Sequence, residues 1–402
     1  MRILVLDEEF PWPLNTGKRI RTYNLIRELS TYHQITYLAY AEPECAAEKH
    51  FAEVGLDPIA VPLLDRAARG PIFYWRLGMN LFSEYPFIVT SHQTRRYQHA
   101  FGKLLAGSSF DLIICEWTPY ALYVKDILGP KKVIVAHNIE SAIWRRYEEN
   151  ETNPARRWYI AKQRQKVEAF ERVCFGWVDG ATAVSTLEAE TIADLGVRYP
   201  VEVIDNGVDV EYFAPCPKFD SSLSLVFTGS MDWRPNQDAA RYFVSEVWPL
   251  VLERFPDASV LWVGRDPSPE VLDLQKTRGV VITGTVDDVR PYIGNATVYI
   301  VPLRIGGGSR LKILEAMAMK KAIVSTTVGA EGLKVTDGQH VLLADTPAEF
   351  ADAIQRCIND PALCARLGEQ GRVLVEEQYR WEQLGRRFSD YLESVVMSGK
   401  TR

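Results

Sequence analysis

Hydrophobic residues in the first half of the chain gather in short runs, separated by longer stretches in which they recur every three or four positions. The runs "RILVLD", "QITYLAY", "DLIICEW", "KKVIVAH" and "GATAVS" predict strands, and residues 20–30, 97–105 and 139–175 carry the helical period. The alternation then begins again. Strands are predicted at "LSLVFTG", "SVLWVG", "VVITG", "TVYIVPL", "KAIVST" and "HVLLA", with helices starting near Asn236, Pro269, Asp287, Ser309 and Pro347. Strands that alternate with helices argue for parallel sheets joined by crossover helices.

Between the two series lies "NGVDVEYFAPCPKFDSS", rich in turn formers and prolines and poor in periodicity. The expected organisation is therefore α/β, with a doubly wound domain over residues 1–205, a linker over 206–222 and a second doubly wound domain over 223–379. Residues 380–402 read as one last amphipathic helix. Ligands of such sheets bind outside the carboxyl ends of the strands, and two facing sheets would put a cleft between the domains.

Composition narrows the picture modestly. The 402 residues are 47% apolar and 24% charged, which places the chain among globular proteins rather than disordered ones. A net charge of −6 supplies no basic field for nucleic acid, so no nucleic-acid partner is expected. Cys45, Cys115, Cys174, Cys216, Cys357 and Cys364 form no CxxC, and several sit in apolar runs, as reduced thiols in a cytosolic protein do. The start "MRILVLDEEF" enters a strand directly, and no run approaches the roughly 18 apolar residues of a membrane span. The expectation is a cytoplasmic protein, with the inner face of the membrane as its one candidate surface.

The candidate chemistry lies in "VPLRIGGGSRLKILEAMAM". Glycines let the backbone approach a ligand, and free N–H groups at a first helical turn favour a phosphate. Ser309 is a suitable N-cap. Leu311, Leu314 and Ala318 form an inward stripe, while Lys312 and Glu315 share another face at i, i+3. Arg310 converges with Lys312 only if the first turn departs from ideal helix. One reading puts backbone amides and Lys312 on a diphosphate, with Glu315 accepting from a pair of ribose hydroxyls. The other makes Lys312 and Glu315 a solvated pair beside a glycine-rich loop. Neither the Walker A spacing nor G-x-G-x-x-G occurs.

The stretch "GGGSRLKILEAMAMKKAIVSTTVGAEGL" resembles the donor-site signature of the family 4 glycosyltransferases of the GT-B fold. The likeness continues through "FTGSMDWRPNQDAARYFVSEVWPLVLERFPDASVLWVG", "ITGTVDDVRPYIGNATVYIVPL" and "VIDNGVDVEYF". It is looser over "MRILVLDEEFPWPLNTGKRIRTYNLIREL" and "VIVAHNIES". Within that family the chain is most similar to sugar transferases linked to bacterial exopolysaccharide assembly.

The resemblance implies two Rossmann-like domains with the final helix crossing back to the first. It implies a nucleoside diphosphate sugar as donor and a hydroxyl of a glycan, lipid-linked or small-molecule acceptor. Transfer would proceed with retention, without a covalent enzyme intermediate and with no cofactor. No Asp-x-Asp occurs, so a metal on the diphosphate is not indicated. Helix dipole and basic side chains would hold it instead.

Two departures stand out. Of the family's paired glutamates the second is Glu315, and the first falls on Gly307, so an amide at Gly307 or Gly308 would meet the donor sugar. The positions where the family commonly has Arg and Lys are Ser230 and Pro235, in the loop that begins at Gly229. Positive charge would then come from Lys312, Arg310, and Arg234 or Arg304. Ser309 and Leu311 belong to the same donor-binding set, and the base would lie near Gly284 and Val286, held by backbone.

In the first half, Gly17 precedes a helical pattern and suits either close approach by a phosphate or sugar, or a simple strand-to-helix turn. His137 ends a strand, where ligands of such sheets gather. The resemblance gives it contact with a donor-sugar hydroxyl or with the acceptor. Arg145, Arg146, Arg156, Arg157, Lys162, Arg164 and Lys166 cluster with Trp144, Trp158 and Tyr159. They read either as a solvated helix face or as a patch for anionic lipid headgroups or a lipid-diphosphate acceptor. The aromatic stretch "IFYWRLGMNLFSEYPF" suits a membrane surface or sugar rings. Two other classes stay open on these residues: a sugar-nucleotide epimerase, and a non-catalytic binding module.

Overall fold

The computed structural model describes residues 1–42, 45–62, 70–216, 223–305 and 310–398. The chain divides into two compact units, Met1–Asp205 with Leu384–Arg402, and Asn206–Gln383.

The first unit is built on a seven-stranded sheet: β1 (Arg2–Leu6), β2 (Gln34–Ala41), β3 (Asp57–Pro62), β4 (Leu112–Cys115), β5 (Lys131–Val135), β6 (Gly180–Ala183) and β7 (Val201–Val203). All pairings are parallel and the order is β3-β2-β1-β4-β5-β6-β7. Helices on both faces explain why β1 reads as a continuous apolar run, for Ile3 to Leu6 are wholly buried. Two strands escape the hydrophobic pattern, β3 and β7. Pro58 and Pro62 interrupt β3, and β7 has three residues. Both are edge strands, where a missing N–H or a short run is tolerated.

The second unit carries a six-stranded parallel sheet: β8 (Ser224–Thr228), β9 (Ser259–Val263), β10 (Val280–Gly284), β11 (Val298–Val301), β12 (Ile323–Ser325) and β13 (Leu342–Leu343). Its order is β10-β9-β8-β11-β12-β13. Each unit has its own core, one centred on Leu4, Ile113 and Ile134, the other on Val226, Trp262 and Ile300. In each sheet the order reverses at one place, between β1 and β4 and between β8 and β11. These are the switch points at whose carboxyl ends doubly wound sheets bind ligands.

Several expected boundaries move for local reasons. The stretch 139–175 forms two helices, Glu140–Asn150 and Pro154–Cys174, because Asn153 caps the second and Pro154 opens it. The helix expected at Asn236 starts at Arg234, and the one expected at Asp287 starts at Arg290. Residues 206–216, expected as linker, are anchored in the second unit. Val208 N donates to Tyr379 O at 2.8 Å, and Val208 and Val210 are buried in its core. The rest of that stretch, 217–222, lies outside the described residues.

From Leu384 onward the helix Trp381–Met397 packs within the first unit. Tyr391 Oη accepts from Ala181 N at 2.9 Å and donates to Ala181 O at 3.0 Å, and Ser389 meets His33 Nε2 at 2.8 Å. Gly385 lies against the helix Gly17–Ser30 so closely that an added Cβ would sit 2.3 Å from Glu28 Cβ. Gly385→Ala should therefore lower stability by about 1–3 kcal/mol through overpacking. Urea unfolding checks this: the midpoint is expected to fall with the slope unchanged, and an unaltered midpoint would contradict the packing.

Candidate functional site

In the second unit the three strands on one side of the switch point end in glycine, at Gly229, Gly264 and Gly284. Gly229 N donates to Val263 O at 2.9 Å, and Gly264 N to Gly284 O at 3.3 Å, so the three backbones form one ledge. A Cβ on Gly264 would lie 1.8 Å from Gly229 O. Gly229 has φ 153°, and a Cβ there would lie 2.8 Å from Lys312 Nζ and 2.9 Å from Asn236 Nδ2. The glycine thus leaves room for the lysine.

Lys312 reaches this ledge from the helix Leu311–Ala318, which follows β11 across the switch point. Its ammonium donates to Asn236 Oδ1 at 2.9 Å and stands 3.9 Å from the centroid of the Phe227 ring. Asn236 Nδ2 donates to Ser230 O at 2.7 Å, which turns the amide oxygen toward the lysine. No carboxylate lies within ion-pair distance of Lys312 among the described residues. Burial pulls its pKa down to about 7, the nearby Arg310 guanidinium adds to that, and Glu315 opposes it.

Glu315, one turn on, is pushed up to about 7 by burial, with Lys312 opposing. Its carboxylate has no hydrogen bond or ion pair among the described residues. Lys312 and Glu315 therefore do not neutralise each other, and the reading as a solvated pair fails on geometry: the lysine turns to Asn236 instead. A half-buried cation and a half-buried carboxylate remain on one helical face, each short of a counter-charge. That pair suits a ligand with an anionic part and a diol part.

The remaining donor-side residues divide. Gly307, Gly308 and Ser309 lie outside the described residues. The described helix begins at Leu311, preceded by Arg310 in a left-handed backbone (φ 48°, ψ 18°). That departure from ideal helix sends the Arg310 side chain away from Lys312's partner. It donates to Val328 O at 2.6 Å and approaches the Glu331 carboxylate at 3.4 Å. Leu311 is buried at the first turn. Arg234 is exposed at the start of its helix, with no side-chain partner among the described residues. Arg304 is committed to Asp238 at 2.8 Å and to the Tyr242 ring.

Gly284 has φ 70° and open space where a side chain would stand, whereas the Val286 side chain packs on the core, leaving only its backbone for a ligand. Arg265 was missed by sequence reasoning. Its Nε donates to Ser230 Oγ at 2.8 Å, so a guanidinium from the end of β9 arrives beside the loop that begins at Gly229. A basic residue directly after "LWVG" was the available signal.

The first unit gathers a second cluster at its own switch point. Asp7 follows β1 and is buried. It accepts from Lys18 Nζ at 2.8 Å and from Tyr37 Oη at 2.6 Å, while burial pushes its pKa up to about 7. Lys18 also donates to Glu8 at 2.7 Å. Gly17 is the first residue of the helix Gly17–Ser30, capped by Thr16, with Lys18 next to it. His137 follows β5 and lies 3.0 Å from Glu116, which follows β4. Trp117 Nε1 donates to Glu140 at 2.7 Å. Charged residues directly after apolar strands, as in "VLDEE" and "IICEW", were the signal for Asp7, Glu8 and Glu116.

The basic cluster is partly used internally. Arg164 pairs with Glu148 and Glu168 at 2.6 Å, Arg145 lies 3.4 Å from Glu168, and Lys166 donates to the carbonyls of Asn80, Leu81 and Ser83. Arg146, Arg156, Arg157 and Lys162 stay exposed. Across "IFYWRLGMNLF", Ile72, Tyr74, Trp75 and Met79 are exposed, and Phe82 is 88% exposed. No helix among the described residues is long and apolar enough to cross a membrane.

Comparison with known proteins gives matches over both halves of the chain. Residues 17–212 match the model described as Glycosyltransferase Family 4, and residues 222–360 match the one described as Glycosyl transferases group 1. An uncharacterized 44.6 kDa protein in the cps region of Klebsiella pneumoniae is 22% identical over 88% of this chain and 90% of its own. A phosphatidyl-myo-inositol mannosyltransferase of Mycobacterium tuberculosis is 27% identical over 52% of this chain and 60% of its own. Among solved structures, a sucrose-phosphate synthase from Thermosynechococcus elongatus superposes with a TM-score of 0.71 at 16% identity, covering 99% of this chain and 100% of that one.

The charge state of Glu315 gives a test of the site's electrostatics. Its folded pKa, about 7, stands above the ordinary 4.5. Between those values the native protein keeps a proton that the unfolded chain releases, so stability falls as pH rises. Glu315→Gln lacks this loss. The wild type should lose about 3 kcal/mol relative to the variant between pH 4.5 and 8 in urea unfolding. A pH-independent difference would show that the carboxyl is not desolvated.

Proposed function

The chain belongs to the family 4 glycosyltransferases of the GT-B fold, and on that premise we propose that it transfers a sugar from a nucleoside diphosphate donor to a hydroxyl of a glycan or lipid-linked acceptor. The product would serve bacterial polysaccharide or glycoconjugate synthesis. The observation that carries the donor reading is Lys312, desolvated beside the Gly229 backbone with a neutral amide as its hydrogen-bond partner. A diphosphate supplies the anion that this site lacks, and Arg265 and Arg234 stand on the same strand-end region. Glu315 accepts from the ribose diol, as a carboxylate with two free oxygens can.

Transfer proceeds with retention and without a bound metal, the departing diphosphate being stabilised by Lys312 and by main-chain donors. The enzyme then acts chiefly by orientation and by electrostatic stabilisation of the leaving group. The Gly284 and Val286 backbone takes the base. In the first unit Gly17, at the start of its helix, allows close approach of a sugar, and His137 meets a substrate hydroxyl.

The acceptor side works against an anionic membrane surface on the cytoplasmic side. Exposed Trp75, Phe82 and Trp158, with Arg156, Arg157 and Lys162, combine the aromatic and basic character that such a surface attracts.

Two measurements test these readings. With a panel of nucleotide sugars, Lys312→Ala should lower transfer by roughly 100-fold or more, while the wild type should keep its rate in EDTA. Full activity in the variant would remove the lysine from the mechanism, and loss of activity on chelation would remove the metal-independent reading. The wild type should sediment with vesicles containing anionic lipid, and the Arg156→Ala/Arg157→Ala variant should sediment less. Absence of wild-type binding defeats the membrane reading.

A further inference from the structure

Glu116 has no role in the reading above. Its side chain is 1% exposed, and that of its partner His137 is 7% exposed. One carboxylate oxygen, Oε2, lies 3.0 Å from His137 Nε2 and accepts from Thr22 Oγ1 at 3.2 Å. The other, Oε1, is buried without a hydrogen-bond partner. Such an orphaned oxygen lowers stability, and an apolar side chain of similar size would fill this place without that cost. The pair therefore calls for an explanation beyond packing.

A carboxylate only accepts hydrogen bonds, so the ring nitrogen facing it must carry a proton. Burial holds the imidazole below its ordinary pKa. Glu116 opposes this, and Lys18 and Arg21 add to it. The ring is thus neutral near pH 7, with its one proton on Nε2 and a bare lone pair on Nδ1. Nδ1 has no partner among the described residues. The charged groups around the pair are Asp7, Lys18 and Arg21, and none of them offers Nε2 an alternative acceptor at hydrogen-bond distance.

We infer that Glu116 is a positioning residue which fixes His137 in the Nε2–H tautomer, so that Nδ1 accepts a hydrogen bond from a substrate hydroxyl. The role of that hydroxyl rests on the glycosyltransferase reading; the tautomer does not. Without Glu116 the ring distributes its proton over both nitrogens, and molecules with Nδ1–H present a donor where the hydroxyl needs an acceptor. Thr22 holds the shared oxygen in place from the helix Gly17–Ser30.

The experiment uses the full chain with 15N-labelled histidine. Nitrogen NMR should show His137 as the Nε2–H tautomer in the wild type and as a mixture in Glu116→Ala. Glu116→Gln is the isosteric second variant should the alanine protein not fold, and it too should show an increased Nδ1–H share. In parallel, kcat should fall roughly 10- to 100-fold in either variant, with the donor KM within about two-fold and the acid limb of the kcat/KM profile moved to lower pH. A wild-type ring protonated on Nδ1, or a pure Nε2–H ring persisting in the variants, overturns the inference. His137→Ala with full transfer activity would instead sink the substrate role of the histidine while leaving the tautomer result to stand.

Discussion

The desolvation of Lys312 without a carboxylate partner is the constraint on which the donor site depends. An ammonium removed from water is costly unless something answers its charge. Here a single neutral amide and the face of Phe227 do so, weakly enough that the pKa sits near 7. Other residues follow from this placement. Gly229 lacks a side chain because the ammonium occupies that space, and Gly264 lacks one because the Gly229 carbonyl does. Asn236 is oriented by Ser230 so that it presents oxygen rather than nitrogen. Such an arrangement costs stability and, on the proposed reading, is pre-organised for an anion.

The first unit solves the same problem with the opposite balance. At its switch point carboxylates predominate, and Asp7, Glu116 and Glu140 are all buried. Lys18 is shared between Asp7 and Glu8. Burial pushes Asp7 and Glu140 up to about 7, so both can exchange protons near neutrality. An acid-rich, partly protonated strand end suits hydroxyls, which donate and accept, better than it suits phosphates. On the proposed reading, the cations beside β8 would meet the sugar nucleotide and the buried carboxylates beside β1 and β4 would meet a hydroxyl.

Much of this was legible in the sequence. Apolar runs of strand length marked every interior strand, because strands buried on both faces must be apolar throughout. The edge strands β3 and β7 were not marked, since proline and short length are tolerated at an edge. The break at Asn153-Pro154 could be read from capping chemistry, but the helical period carried across it. At the site, Lys312 and Glu315 were legible from helical spacing. Their mutual independence was not, because it depends on Asn236, a residue 76 positions away. Arg310 shows the limit most clearly. Its neighbour's role suggested a shared ligand, yet a left-handed backbone at one residue turns its side chain to the carbonyl of Val328.

The most direct test is calorimetric. At pH 8 a lysine with a pKa near 7 is mostly neutral, the diphosphate is fully ionised, and Glu315 has already lost its proton. Binding of UDP, GDP or ADP, whichever the site accepts, should then draw about one proton from the buffer, because the anion restores the ammonium. Titrations in two buffers of different ionisation enthalpy would read this directly, and the Lys312→Met protein should take up none. Tight nucleotide binding with no net proton uptake, or with the same uptake in Lys312→Met, would contradict the account.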